Sequence, residues 1–156
     1  MIYKITFKTK WADFDPNNHL RHTAYNDYAA EARVRFLNEK GFSMYTFDQL
    51  QIGPVLFQET TNFYREIRIG EDITVELALK GMSENGERFK FEHKILKENN
   101  VLAAKIDVFG AWMDLKTRKL TNPPQELLTT FEQLSKTENF EIIPTSKKLQ
   151  YEDPSF

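Results

Sequence analysis

Residues 11–37, WADFDPNNHLRHTAYNDYAAEARVRFL, change character halfway along. The first half crowds Asp13, Asp15, Asn17, Asn18, His19, Arg21 and His22 together. The second half keeps a helical rhythm. Tyr25, Tyr28, Ala29, Ala32 and Phe36 fall at i, i+3, i+4, i+7 and i+11, one apolar stripe, while Asp27, Glu31, Arg35 and Glu39 recur four apart on a polar face. The pattern predicts a helix over about residues 23–40. Thr23 is its candidate N-cap, Asp27 lies in its first turns where a negative charge suits the dipole, and Gly41 is its stop. Ala24, Ala29, Ala30 and Ala32 keep it thin, so a sheet can approach closely.

Strand signals lie on both sides. In residues 2–11, Tyr3, Ile5, Phe7 and Trp11 share one face and Lys4, Lys8 and Lys10 the other. Strands are predicted at residues 54–69, 72–82, 87–97 and 101–115. The third and fourth of the five are joined by the turn SENG, the fourth and fifth by ENN. Asn122-Pro123-Pro124 opens a short last helix whose apolar positions are Leu127, Leu128, Phe131 and Leu134. This order makes an α+β domain over residues 1–135, an antiparallel sheet of about five strands with one principal helix. Residues 136–156 are weakly patterned and read as a C-terminal extension or tail. One helix cannot cover both faces of five strands, so a second copy of the chain is expected against a face or an edge.

Composition narrows the classes. The chain has 156 residues and a net charge of −2, which gives nucleic acid or an anionic membrane no electrostatic footing. It has no cysteine, which excludes disulfides, thiolate metal sites and a Cys nucleophile. The N-terminus lacks the apolar core of a secretory signal, and no apolar run approaches the roughly 20 residues of a membrane span. A cytoplasmic location is expected, with no membrane partner.

The crowded half holds the chemistry. His19 and His22 lie three apart, but no third ligand stands at a metal-binding spacing, so no metal is expected. His93 alternates with Phe89, Phe91 and Ile95 and reads as a core histidine. No serine sits in a nucleophile elbow and no glycine-rich phosphate loop exists. Asp15-Pro16-Asn17-Asn18 is good turn chemistry in its own right. It is also a carboxylate beside a helix start, whose unpaired N–H groups can hold an oxyanion. That pair is the minimum equipment for hydrolysing an activated acyl group without a Ser or Cys nucleophile.

These residues resemble the signature region of the hotdog-fold thioesterases of the 4-hydroxybenzoyl-CoA thioesterase-like group. The matching positions are Asp13, Asp15, His19, Tyr25 and Glu31-Ala32-Arg33, with IRIGEDITVE similar to the family's Gly-Asp turn. Asp15-Pro16-Asn17-Asn18-His19 also resembles the D-x-N-x-H motif of the acyl-carrier-protein thioesterases, although Arg21 and His22 stand where that branch has two Asn. The resemblance implies a hotdog fold, a sheet wrapped around the long helix, and a homodimer or dimer of dimers with sites at the subunit boundary. It implies thioester hydrolysis of an acyl-CoA or acyl carrier protein conjugate, without a cofactor beyond the coenzyme A of the substrate. Asp15 becomes the base or nucleophile, assisted by His22 or His19, and the N–H groups of His22 and Thr23 form the oxyanion site. Asp13, Asn17 and Tyr25 become supporting residues. Glu31 is a rival base, though an i,i+4 pair with Arg35 also accounts for it. Arg65 and Arg68 are candidates for coenzyme A phosphates. The alternatives are a non-catalytic hotdog domain that binds an acyl carrier or a lipid-like ligand, and, more weakly, a dehydratase.

Overall fold

A computed structural model describes residues 1–145. The first strand, β1 (Tyr3–Phe7), is followed by a single 3-10 turn at Trp11–Asp13 and then by the long helix α1 (His22–Glu39). Helix α2 (Met44–Leu50) leads into β2 (Ile52–Phe63). Strands β3 (Ile73–Met82), β4 (Arg88–Lys97) and β5 (Val101–Asp114) follow. The chain continues through β6 (Lys119–Leu120), α3 (Gln125–Glu132) and β7 (Lys136–Ile142). The sheet runs in the order β1-β3-β4-β5-β2, all antiparallel; β6 adds to β5, and β7 pairs parallel with β3.

The alternating residues behave as the pattern requires. Ile73, Val75, Leu77 and Leu79 of β3, and Phe89, Phe91, His93 and Ile95 of β4, all turn inward and are buried. They meet the α1 stripe of Tyr25, Tyr28, Ala29, Ala32 and Phe36, where the buried Ala24, Ala29 and Ala32 let helix and sheet approach. An aromatic cluster closes the far end. Trp112 stacks on Phe131 of α3 at 5.8 Å and on Phe47 of α2 at 5.5 Å, while Phe91 meets Phe131 edge-on at 5.1 Å. Gly110 is required where β5 passes β2: a Cβ there would lie 2.3 Å from the Val55 carbonyl oxygen.

Several expectations are corrected. Trp11 does not extend the first strand; β1 stops at Phe7, and Trp11 is 82% exposed in the 3-10 turn. Thr23 is not the N-cap of α1. That position is Arg21, which makes no side-chain cap, while Thr23 Oγ1 accepts a 2.6 Å bond from Arg21 Nη1. Strand β2 ends at Phe63, six residues before the expected boundary at 69, because the chain turns away there to clamp the polar stretch. Helix α2 went unread: its seven residues are too few to show a period, although Ser43 caps it by accepting from the Thr46 N–H. Asn122 does not cap α3; Pro124 occupies that place without a side-chain bond. Residues 136–142, read as part of a tail, form β7 on the edge of β3, with Lys90 of β4 paired to Glu141. Residues 146–156 of that segment lie outside the described residues.

Candidate active site

The crowded stretch folds as a small hairpin ahead of α1. Asp15 N–H donates to the His19 carbonyl at 2.9 Å, Phe14 bridges Leu20, and Arg21 N–H donates to the Asp13 carbonyl at 2.9 Å. Asn18 takes φ +63° at the tip, a conformation Asn tolerates better than most residues. The Asp15 side chain ties the tip: Oδ1 accepts from the N–H groups of Asn17 at 2.9 Å and His19 at 3.1 Å. Its Oδ2 has no donor among the described residues. Asp15 is only partly exposed. One carboxylate oxygen therefore fixes the turn while the other remains available for chemistry.

Helix α1 starts at the root of the hairpin. Its N-cap supplies no side-chain acceptor, and the N–H groups of His22 and Thr23 have no acceptor among the described residues. Two orphan donors at a positive helix end can receive negative charge. Asp13 organises this root. Its Oδ1 accepts from Arg21 Nη2 and its Oδ2 from the Tyr28 hydroxyl, both at 2.9 Å. The phenol in turn accepts from Lys10 N–H at 3.3 Å. Burial and the Asp13 bond raise the Tyr28 pKa, so the phenol stays a donor.

The loop between β2 and β3 clamps the hairpin from the other side. Leu20 N–H donates to the Ile67 carbonyl at 2.8 Å, Ile69 N–H donates to the Asn18 carbonyl at 3.2 Å, and His19 bridges Arg68. Glu66, on this loop, places Oε2 2.8 Å from His19 Nε2 and holds Arg68 Nη2 at 3.2 Å through Oε1. The imidazole is thus anchored by a carboxylate that the sequence reading did not single out. The contact spans 47 residues, so no local signal marks it. His22, the other histidine, is exposed and its side chain has no partner among the described residues.

The remaining candidates separate. Tyr25 is buried and meets Phe63 edge-on at 5.0 Å; burial, then the charges of Glu66 and Glu71, raise its pKa. Asn17 contributes its backbone N–H to Asp15. Glu31 pairs with Arg35 at 3.0 Å, four residues on and on the solvent side of α1. Arg65 donates to its neighbour's carbonyl, that of Tyr64, at 2.8 Å. Together with Arg68 and Lys97 it rims an open groove that also carries Glu66, Glu71 and Glu98. Among the described residues no group of three or more His, Asp or Glu is placed to hold a metal ion. No helix among them is long and apolar enough to cross a membrane.

A second set lies further along α1. Asn26 donates to Glu59 at 3.0 Å and accepts from Thr61 at 2.9 Å, tying the helix to β2. Arg33 Nη1 sits 3.1 Å from His93 Nε2, and His93 Nδ1 sits 2.9 Å from the Ile106 carbonyl oxygen. Burial, then the Arg33 charge, push the His93 pKa down to about 3. His93 is therefore neutral, with Nδ1–H donating to the carbonyl and Nε2 accepting from Arg33. Arg33 lines an apolar cleft of about 160 Å³ with Val34, Leu37, Pro54 and Leu56.

Residues 9–131 match the family model of the thioesterase-like superfamily. The chain belongs to that superfamily. Solved structures agree on the architecture. A hypothetical protein of Staphylococcus aureus, solved in complex with CoA, superposes with a TM-score of 0.81 at 21% identity, over 88% of this chain and 87% of that one. A 1,4-dihydroxy-2-naphthoyl-CoA thioesterase of Synechocystis gives 0.77 at 18%, over 86% and 98%. A DHNA-CoA thioesterase of Staphylococcus aureus gives 0.75 at 16%, over 85% and 89%. No curated protein sequence matches this one. The fold is the hotdog fold: a curled antiparallel sheet around α1, closed at one end by α3.

Proposed function

We propose that this protein hydrolyses acyl-CoA thioesters. The observation that carries the reading is the division of labour in the hairpin. Asp15 Oδ1 is spent on the turn, Oδ2 is unclaimed, and the next element begins with two unpaired N–H donors. Superfamily membership and the CoA-dependent activities named for two of the structural neighbours support the same chemistry. In this mechanism a water gives its proton to Asp15 Oδ2 while its oxygen bonds to the thioester carbonyl carbon. The carbonyl oxygen takes the negative charge and is held by the His22 and Thr23 N–H groups. The C–S bond then breaks, the thiolate recovers the proton from Asp15, and a carboxylic acid and coenzyme A leave. His19, fixed by Glu66, orients the water. No cofactor is needed, and coenzyme A enters as part of the substrate.

The groove rimmed by Arg65, Arg68 and Lys97 is the seat this reading gives to the coenzyme A phosphates. Strand β2 supports a dimer. Among the described residues it is the last strand of the sheet on that side, and Val34, Tyr45 and Leu56 are exposed around it. Pairing two β2 edges about a two-fold axis continues the sheet into a second copy, and two such dimers can pair again. The purified protein, incubated with a panel of acyl-CoAs, is expected to release free thiol above the blank. Saturable binding without release selects a carrier-binding domain instead.

A further inference from the structure

The helix start and the apolar cleft lie on one line. His22, Asn26, Ala30, Arg33 and Leu37 are spaced i, i+4, i+8, i+11 and i+15, a single stripe of α1. Strand β2 runs beside this stripe in the opposite sense. Thr61 and Glu59 meet Asn26, while Leu56 and Pro54 line the cleft with Arg33 and Leu37. From His22 to Arg33 is about 16 Å of helix, and side chains on a helix lean toward its N-terminus. Arg33 therefore reaches back from an otherwise apolar cleft toward the oxyanion site.

Among the described residues Arg33 is a cation without a counterion. Its one hydrogen bond goes to a neutral imidazole, and no carboxylate lies within salt-bridge distance among the described residues. Burial lowers its pKa; Glu59 acts on it only at a distance, with its carboxylate held by Asn26. A charge partly withdrawn from water against Val34, Leu37, Pro54 and Leu56 costs free energy that a single neutral acceptor does not offset. The guanidinium keeps further N–H donors in a planar fork that suits a carboxylate. The cleft, at about 160 Å³, matches in size a cavity that holds a ring of about six carbons.

We propose, building on the thioesterase reading, that this cleft seats the distal end of the acyl group and that Arg33 selects acyl groups long enough to cross from the helix start to the cleft and ending in a carboxylate. The apolar walls take the methylene chain, and the arginine receives the terminal carboxylate that the described residues do not supply.

The test pairs sebacoyl-CoA with decanoyl-CoA, equal in chain length and different at the far end. Binding is measured by calorimetry on the Asp15→Asn protein, which leaves both thioesters intact, and again after adding Arg33→Met. Sebacoyl-CoA is expected to bind tighter by on the order of tenfold or more, and Arg33→Met is expected to collapse the ratio to about one or below. In the active protein the kcat/KM ratio should follow. Equal affinities, or a preference that survives Arg33→Met, would overturn the inference. A change of oligomeric state in Arg33→Met without a change of ratio would also overturn it, by giving the counterion role to a second copy. Hydrolysis of neither thioester by the unaltered protein would overturn the thioesterase reading alone, because the binding ratio still judges Arg33.

Discussion

The two ends of one helical stripe differ in kind. At the His22 end, polar groups stand near solvent, held by short-range bonds within residues 13–22 and by the clamp from the loop between β2 and β3. At the Arg33 end, one cation and one fully buried histidine face each other across 60 residues of sequence, inside an aromatic core. The first arrangement leaves donors and a carboxylate oxygen unclaimed, which suits a reaction. The second satisfies its histidine fully and leaves only part of its arginine open, which suits recognition. Substitutions should therefore divide: at the first end they change rate, at the second they change stability and selectivity.

The largest effect expected outside Asp15 itself is at the helix start. His22→Pro removes one of the two unpaired N–H groups yet suits the first helical position, and Arg21 before it is already extended at φ −65°, ψ 144°. Turnover should fall by about 10²–10³-fold, whereas His22→Gln, which keeps the N–H, should cost far less. Equal losses in the two variants would move the role from the backbone to the imidazole. Next is the anchored histidine: His19→Gln should reduce kcat by about 10- to 100-fold with the melting temperature nearly unchanged, read from thiol release and a thermal scan.

The cleft end should show the reverse. His93→Leu strands the Arg33 guanidinium without its acceptor and should destabilise the fold by roughly 1–3 kcal/mol in denaturant titration. The same histidine sets a pH dependence. Its folded pKa of about 3 lies below the ordinary value of 6.5, so the unfolded chain binds the extra proton between those limits. Its contribution is fully present above pH 6.5 and is lost as pH falls toward 3, at about 1.4 kcal/mol per unit. The difference in acid sensitivity between the unaltered protein and His93→Gln isolates this contribution; identical slopes would contradict it. Smallest of all, Glu31→Gln should cost at most about 0.5 kcal/mol and leave turnover within a few-fold. A large loss of activity would make Glu31 a base after all.

The same contrast explains what could be read from the sequence. Periods of 2 and 3.6 mark elements that bury one face, so β3, β4, β5 and the α1 stripe were legible. The Asp15 turn was legible because its bonds are local. Glu66 and the Arg33–His93 pair were not, because those contacts exist only after β2, β4 and α1 are packed. The misplaced N-cap has a related cause. Thr23 is a good cap by type, but Arg21 is held by Asp13 and starts the helix two residues earlier. Strand β7 carries no alternation because it pairs at an edge, with most of its residues exposed or half-buried.

The most direct test is thiol release from a panel of acyl-CoAs by the unaltered protein and by Asp15→Asn, side by side, with circular dichroism to verify the fold. Asp15→Asn keeps the oxygen that caps the turn and removes the base. Turnover is expected to fall by at least about 10²-fold with the spectrum unchanged. Undiminished hydrolysis by a well-folded Asp15→Asn protein would contradict the account.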